Sequence, residues 1–184
     1  GPAVGLECAL LEVRHPGCTI ASLGSDHFIG KQDEFCRLLK ASERAAEEHP
    51  EFLFTLGVKP TRVETGYGHI AMGKTLWTVD GVSVREVEEF TEKPDLQRAQ
   101  EYTASGRYLW NSNLFVWKAA TVLELFARFE PEMHGGLCRI QKAANADLTQ
   151  VVEVEYPQLK KIAVDNAIIE RADHVATIES DIDW

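Results

Sequence analysis

The chain has 184 residues, of which 45% are hydrophobic and 26% charged, so it is long enough for one domain with a buried core and is neither disordered nor fibrous in composition. The formal net charge of −10 argues against nucleic acid as the main partner, because binding phosphates requires a basic surface. No apolar run approaches the roughly 20 residues of a membrane span, and the N-terminal segment lacks the basic region of a signal peptide.

Four elements are predicted in the N-terminal third. Apolar residues at helical spacing predict a helix over residues 3–14, which His15-Pro16-Gly17 ends. Residues 18–23 and 52–58 are short apolar runs that suit buried strands, and residues 33–48 predict an amphipathic helix between them. A strand, a helix and a strand in this order predict a βαβ unit, whose strands run parallel with a right-handed crossover.

The pattern changes after residue 69. Alternating apolar and polar residues over 70–90 surround Asp80-Gly81, which predicts a β-hairpin. The remaining predicted elements are a helix over 95–104, a strand over 109–117, a helix over 118–129 closed by Pro131, a helix over 165–172 and a strand over 174–178. The sequence therefore predicts an α/β fold, in which a parallel half is followed by a mixed, partly antiparallel half.

The cysteines show no C-x-x-C spacing, and three of the four fall within apolar stretches. We therefore expect reduced, buried thiols and a cytoplasmic location. A zinc site that includes a histidine is the alternative, but no pair of these residues has the spacing of zinc ligands. The cysteines are Cys8, Cys18, Cys36 and Cys138, and the histidines of the alternative are His15, His27 and His49.

Residues 68–75 match the phosphate-binding P-loop pattern GxxxxGK[ST]. That chemistry needs a strand before the loop and a helix that begins at the Lys-Thr pair. Residues 60–67 contain no apolar run, and the residues after Lys74 are typical of a strand that enters the hairpin turn. We therefore predict a hairpin with an exposed Lys74 and no ATPase site, because no helix N-terminus would face the phosphates.

Polar residues follow both strands of the predicted βαβ unit. Asp26 comes shortly after the first strand, and ligands of open parallel sheets bind beyond the carboxyl ends of the strands. A carboxylate there could hold Mg²⁺, or it could cap the next helix. Lys59 and Arg62 follow the second strand and add two cations near Asp26. Tyr67 stands between two glycines, which indicates either backbone held close to a ligand or an ordinary glycine turn.

Two further polar groups interrupt apolar segments. Glu92-Lys93 ends the strand after the hairpin, and a carboxylate beside an ammonium can bind a sugar hydroxyl together with a phosphate. The alternative is a solvated surface pair. Residues 111–113, Asn-Ser-Asn, lie inside a strand that is expected to be buried, so their side chains need partners. Either a polyhydroxyl ligand or a structural hydrogen-bond network would supply them.

Four segments occur in a specific order along the chain: LGVKPTRVETGYGHI, FTEKPD, SGRYLWNSNLFVW and VDNAIIERADHVATIESDIDW. This series resembles the mannose-1-phosphate guanylyltransferases, and the resemblance extends over nearly the whole chain. It implies a Rossmann-like mixed sheet of the nucleotide-diphospho-sugar transferase type. It also implies a parent enzyme that transfers GMP from GTP to mannose 1-phosphate, giving GDP-mannose and pyrophosphate.

The resemblance also assigns roles to single residues. It implies that Asp26 is the first metal-binding aspartate, with Mg²⁺ as cofactor, and that Lys93 binds the sugar phosphate; we expect these two residues to be catalytic. No protein nucleophile is required, because the residues position the substrates and neutralise charge. The expected substrate-binding residues are Gly68, through its backbone N–H, and Glu92, Asn111, Tyr67 and Arg62.

The sequence departs from the family pattern in three places. Residues 1–184 contain neither the glycine-rich GGxGTRLxPLSR loop that cradles nucleotide phosphates nor the W-x-D-x-G segment with the second metal aspartate. Asn113 stands where members usually have glycine. We therefore expect residues 1–184 to be a single partial domain, the sugar-phosphate side of the catalytic domain, which lacks the N-terminal nucleotide-binding strand and loop and is inactive alone.

The sequence leaves two other functions open. The parent could act on another sugar 1-phosphate or another nucleotide, because the base is recognised largely outside these residues. The chain could instead be a non-catalytic subunit that binds a sugar phosphate. The sheet edge left open by the absent strand could pair with a second copy, which would give a homo-oligomer.

Overall fold

The computed structural model describes residues 1–143 and 147–184. Its helices are α1 (Pro2–Arg14), α2 (Gln32–Glu48), α3 (Leu96–Ser105), α4 (Ala119–Phe129), α5 (Pro131–Ala143), α6 (Leu148–Glu155) and α7 (Val164–Ala167), with 3-10 helices at Tyr156–Gln158 and Ile169–Arg171. Its strands are β1 (Thr19–Ser22), β2 (Leu53–Val58), β3 (His69–Val79), β4 (Val82–Thr91), β5 (Tyr108–Lys118) and β6 (Val175–Ser180). Within the described residues, no helix has both the length and the apolar character to cross a bilayer.

The chain divides into two compact units. Unit 1 consists of Gly1–Ile20 and Trp117–Asp173, and unit 2 consists of Ala21–Val116 and His174–Trp184. Every residue expected to form the site lies in unit 2. The single partial domain over 1–184 stays a prediction.

The strands form one mixed sheet in the order β1-β5-β2-β6-β4-β3, which confirms the predicted α/β class. Strand β2 pairs in parallel with β6 and antiparallel with β5. The pairs β3–β4, β3–β5 and β4–β6 are antiparallel. The two strands of the predicted βαβ unit are therefore not neighbours, because β5 lies between them, and the parallel partner of β2 comes from the C-terminal end of the chain.

The hairpin of β3 and β4 confirms the prediction around Asp80-Gly81. Both turn residues have positive φ angles, 50° and 75°, as a two-residue type I′ turn requires. Residues 69–75, most of the P-loop match, lie within β3, and the side chain of Lys74 is 74% exposed. The structure thus has a strand where an ATPase site would need a helix.

The core of unit 2 lies between the sheet and α2. The central strands β2 and β6 bury Phe54, Leu56 and Ile178 almost completely. Helix α2 places Leu38 and Ala45 against them, while its charged residues face outward. Strands β2 and β6 end side by side at this core, so the loops that follow them, 59–68 and 181–184, leave the sheet at the same edge.

Unit 1 is a helical cluster in which α1 packs against α4 and α5. Gly5 of α1 allows close approach, because a Cβ at this position would lie 2.7 Å from Cδ1 of Leu137. Trp117 and Phe126 are fully buried in this unit. Burial raises the pKa of the Cys8 thiol, so this cysteine is an inert part of the core.

The structure differs from the sequence prediction in three local features. Pro131 begins α5, in addition to following α4, and neither α5 nor α6 was expected from the sequence. The helix predicted over 165–172 is a short α7 followed by a 3-10 turn. The cysteines, all four of them free, were expected to be buried, but Cys36 is exposed on α2, Cys18 and Cys138 are half-buried, and Cys8 alone is buried.

Candidate functional site

Three of the expected substrate-binding residues meet beside the start of β3. A Cβ built on Gly68 would lie 2.7 Å from Oε2 of Glu92 and 3.3 Å from Cβ of Asn111. The backbone N–H of Asn111 donates to the carbonyl oxygen of Gly68 at 2.8 Å. Residue 68 must therefore be glycine, because any side chain would displace the Glu92 carboxylate that lies against its backbone. We call Gly68, Glu92 and Asn111 the Gly68 cluster.

The carboxamide of Asn111 is held by a network of hydrogen bonds. Its Nδ2 donates to Oδ1 of Asn113 at 2.8 Å, and its Oδ1 accepts from the Asn113 N–H at 3.2 Å and from Oγ1 of Thr55 at 3.3 Å. Asn111 is only 4% exposed. These contacts supply the structural partners that the sequence left open, and they fix the direction of the amide within the Gly68 cluster.

Lys93 follows β4 with a backbone φ of 47°, in the left-handed region. Its Nζ lies 3.4 Å from Oε1 of Glu92, and its side chain is 65% exposed. An exposed ion pair of this kind contributes little to stability. Left-handed backbone at a non-glycine residue is costly and is found at binding sites, so the position suits a cation kept available for an anionic ligand.

An aromatic group lies next to the Gly68 cluster. The ring of Tyr67 contacts the rings of Trp110 at 5.4 Å and Trp184 at 5.2 Å, both edge to face. The guanidinium of Arg62 lies 5.1 Å from the centroid of Trp110 and 5.9 Å from that of Tyr67. These cation–π contacts hold the positive charge of Arg62 over the rings, at the mouth of a cavity.

The loop that carries Arg62 and Tyr67 is organised by Glu64. Its Oε1 accepts from the backbone N–H of Gly66 at 2.9 Å, and its Oε2 accepts from Arg62 at 3.2 Å. The hydrogen bond from Gly66 and the adjacent guanidinium lower the pKa of the Glu64 carboxyl. Glu64 is therefore ionised at neutral pH and shapes the turn between Arg62 and Tyr67.

Two cavities open beside this aromatic group. The smaller, of about 180 Å³, is lined by Asp26, His27, Phe28, Arg62, Tyr67, Trp110 and Trp184. The larger, of about 540 Å³, lies between segments 58–62 and 179–184 and also includes Trp110. Lys59 and Arg62 contribute cations to the larger cavity, and Glu179, Asp181 and Asp183 contribute carboxylates. The structure thus brings Asp26, Arg62 and Tyr67 together at one cavity.

Gly68, Glu92, Lys93 and Asn111 line neither cavity, although Tyr67 and Trp110 are the immediate sequence neighbours of Gly68 and Asn111. Trp110 and Trp184, which line both cavities, were not expected from the sequence. Trp110 lies in an apolar run near the start of β5, a pattern that usually indicates core packing, and Trp184 follows an acidic segment. The available signal was position, because Trp110 directly precedes Asn111.

Asp26 is exposed at the smaller cavity. Within residues 1–143 and 147–184, no group of three or more His, Cys, Asp or Glu side chains could hold a metal ion. A metal site formed by protein side chains alone does not fit these residues, and neither does the zinc alternative. One carboxylate at a cavity does fit Mg²⁺, which commonly takes one or two carboxylates and fills its other positions with water and substrate phosphates.

Comparisons with known proteins identify the family of the chain. A family model described as nucleotidyl transferase matches residues 2–156. The mannose-1-phosphate guanylyltransferase of Klebsiella pneumoniae is 34% identical over 189 residues, which cover 100% of this chain and 39% of that protein. The Xanthan biosynthesis protein XanB of Xanthomonas campestris pv. campestris (strain B100) is 34% identical over 164 residues, covering 88% of this chain and 33% of the relative.

A solved structure shares the fold. The structure described as mannose-1-phosphate geranyltransferase from Thermus thermophilus superposes with a TM-score of 0.79 at 33% identity, covering 96% of this chain and 49% of the other. The chain spans about two fifths of the Klebsiella relative and half of the Thermus chain. The resemblance found in the sequence is confirmed, and because the family model covers most of its residues, the chain belongs to the nucleotidyl transferase family.

Proposed function

We propose that this chain is the sugar-phosphate-binding side of an enzyme that transfers GMP from GTP to mannose 1-phosphate, giving GDP-mannose and pyrophosphate. The names of the relatives in Klebsiella and Thermus support mannose 1-phosphate as the substrate class. The observation that carries the proposal is the Gly68 cluster, in which a backbone glycine, a carboxylate and a fixed carboxamide converge. Such a set can exchange several hydrogen bonds with adjacent sugar hydroxyls.

Each residue has a proposed task. Glu92 accepts hydrogen bonds from sugar hydroxyls, and Asn111 and the N–H of Gly68 complete the contact with the sugar. Lys93 binds the phosphate of the sugar, because its exposed ammonium lies 3.4 Å from Glu92 and can reach past it. The two charged residues thus bind a hydroxyl and a phosphate of one ligand.

The residues at the smaller cavity would offset the negative charge of the substrate phosphates. Arg62 and Tyr67 are proposed to contact the substrate at the smaller cavity, where Asp26 supplies one carboxylate for Mg²⁺. A bound Mg²⁺ would offset the charge of the phosphates. The chain's own residues position a phosphate oxygen of mannose 1-phosphate for attack on the α-phosphorus of GTP, from which pyrophosphate leaves. No side chain acts as a nucleophile. The free cysteines support a reducing, cytoplasmic location.

Calorimetric titration of the chain with mannose 1-phosphate tests the proposal. We expect binding by the native chain and at least about tenfold weaker binding by Glu92→Gln, because the substitution removes a charged acceptor of hydrogen bonds. Glu86→Gln is the matched control: Glu86 lies on β4, which ends just before Glu92, and it pairs with Lys74 at 3.9 Å, away from the Gly68 cluster. The control should bind like the native chain.

The titration, together with an assay of pyrophosphate release, separates the other functions. Tighter binding of a different sugar 1-phosphate would identify that compound, instead of mannose 1-phosphate, as the substrate. Failure to bind any sugar 1-phosphate would contradict the proposal. A non-catalytic subunit would bind mannose 1-phosphate but give no pyrophosphate release in any longer form of the protein.

A further inference from the structure

His69, the first residue of β3, is fully buried directly beside Gly68. Its Nδ1 lies 3.1 Å from the backbone carbonyl oxygen of Tyr67. Its Nε2 is buried and has no hydrogen-bond partner among the described residues. The backbone of His69 is held between two strands, opposite Trp110 of β5 and Thr91 of β4. Both the ring and the chain at this position are therefore tightly located.

The surroundings select one form of the imidazole. A carbonyl oxygen only accepts hydrogen bonds, so the proton of a neutral ring must be on Nδ1. The other nitrogen, Nε2, then carries only a lone pair, and neither a donor nor an acceptor among the described residues reaches it. Burial lowers the pKa of His69, against the smaller opposing effects of the Tyr67 carbonyl and the carboxylates of Glu64 and Glu92, and it keeps the ring neutral at physiological pH.

The carbonyl group of Tyr67 and the N–H of Gly68 belong to the same peptide unit. This unit is planar and trans, because the described residues contain no cis peptide bond, so its C=O and N–H point in opposite directions. A hydrogen bond that holds the oxygen on one side also fixes the direction of the hydrogen on the other. The contact from His69 thereby locks the Gly68 N–H away from the ring.

We propose that His69 is a positioning residue, which orients the Tyr67–Gly68 peptide so that the Gly68 N–H is aimed at a hydroxyl of the bound sugar phosphate. This inference rests on the proposed function for the sugar-binding role of Gly68. The part of the inference that concerns the orientation of the peptide does not depend on the proposed function, because it follows from the hydrogen bond between His69 and the Tyr67 carbonyl oxygen. Without the hydrogen bond, the peptide could rotate and the N–H would lose its fixed direction before the ligand arrives.

A simple packing role is the competing explanation, since the ring of His69 also contacts Tyr102, with centroids 5.6 Å apart. Three substitutions separate the two roles. His69→Asn places an N–H donor close to the position of Nδ1 but leaves a smaller side chain. His69→Phe fills the space and has no donor. His69→Gln carries its donor one bond further out, near the position of Nε2.

Titration with mannose 1-phosphate, with urea unfolding as a check on the fold, gives opposite orders for the two roles. For positioning, we expect His69→Asn to bind within about threefold of the native chain and the Phe and Gln variants to bind at least about tenfold more weakly. For packing alone, binding would follow stability, and Phe would be the best substitute. Equal affinities of the Asn and Phe variants overturn the proposal.

Nuclear magnetic resonance on the ligand-free chain provides a readout that does not depend on the sugar. The ¹⁵N shifts of His69 should show a proton on Nδ1, and the amide proton of Gly68 should shift in the Phe and Gln variants but little in the Asn variant. An Nε2–H ring, or an unchanged Gly68 amide in the Phe variant, overturns the positioning role. Failure of the native chain to bind mannose 1-phosphate overturns the proposed function and the sugar contact, while these spectra still decide the peptide orientation.

Discussion

Asn113 is a non-glycine residue with a φ of 56° inside a strand. The pairing of β5 with β2 shifts between Asn111 and Phe115, so Asn113 lies in a bulge. Asparagine tolerates the left-handed region better than most residues, and here its side chain also accepts the hydrogen bond from Asn111. The bulge thus turns the backbone and supplies the acceptor that fixes the amide of Asn111.

Substitutions at Asn113 should separate these two contributions. We expect Asn113→Ala to lower the free energy of unfolding by about 1–3 kcal/mol, because it loses the acceptor and strains the backbone. Asn113→Gly should cost less, since it loses the acceptor but accepts the positive φ. Asn113→Asp, which keeps both, should lie closest to the native chain. Urea unfolding measures the order, and an Ala variant as stable as the Asp variant would contradict this account.

Some residues of the site could be predicted from the sequence, and others could not. Gly68, Glu92 and Asn111 could be proposed because a glycine, a charged pair and buried amides are unusual in their segments, and the structure places them in contact. Trp110 and His69 could not, because an aromatic or imidazole ring beside apolar residues is usually a core residue, and Trp184 follows an acidic segment with no motif of its own. Their importance depends on neighbours that only the folded chain brings together.

At the scale of elements, local sequence patterns were sufficient to predict the hairpin and helices α1 to α4, because the spacing of apolar residues and the residues at the ends lie within each segment. The order of strands was not predictable in this way, because the partners of β2 lie far away in the chain. Helix α5 was missed because Gly135-Gly136 disfavours a helix. Close packing offsets that cost: a Cβ on Gly136 would lie 2.6 Å from Cδ2 of Leu159.

The β3–β4 turn allows a test of the hairpin as an element. Gly81 has a φ of 75°, and a Cβ at this position would meet no atom within 4 Å. A Cβ therefore has room, and the main cost of a substitution is the energy of the left-handed backbone. We expect Gly81→Val to lower the free energy of unfolding by about 1–2 kcal/mol, and Gly81→Asn, which tolerates positive φ, to cost clearly less. Equal losses for Val and Asn, measured by urea unfolding, would show that the turn is not held in the left-handed conformation.

At the scale of the whole molecule, a net charge of −10 must be reconciled with an anionic ligand. The larger cavity contains Lys59 and Arg62 on one loop and Glu179, Asp181 and Asp183 on the other segment. The ammonium of Lys31 pairs with Asp181 at 2.5 Å, so part of that acidic charge is already offset. Lys31, Lys59 and Arg62 thus balance the three carboxylates, so this cavity does not share the acidic excess of the whole chain.

The 184-residue chain on its own should not catalyse nucleotidyl transfer. Its sequence contains no glycine-rich loop of the GGxGTRL type, and Asp26 is the one carboxylate proposed to hold Mg²⁺. The described residues also form no cluster of three metal-binding side chains, so GTP and Mg²⁺ would be held weakly. We therefore expect binding of mannose 1-phosphate without turnover.

An assay with mannose 1-phosphate, GTP and Mg²⁺ that measures pyrophosphate release decides this prediction. The Klebsiella relative, which is named a mannose-1-phosphate guanylyltransferase and of which the chain covers 39%, is assayed in parallel as the positive control. For the chain alone we expect release far below the roughly 1 s⁻¹ at the lower end of typical enzyme turnover. Release at or above that rate would mean that the 184 residues themselves cradle the triphosphate. The larger cavity, with Lys59 and Arg62, would then be the first place to look for the nucleotide.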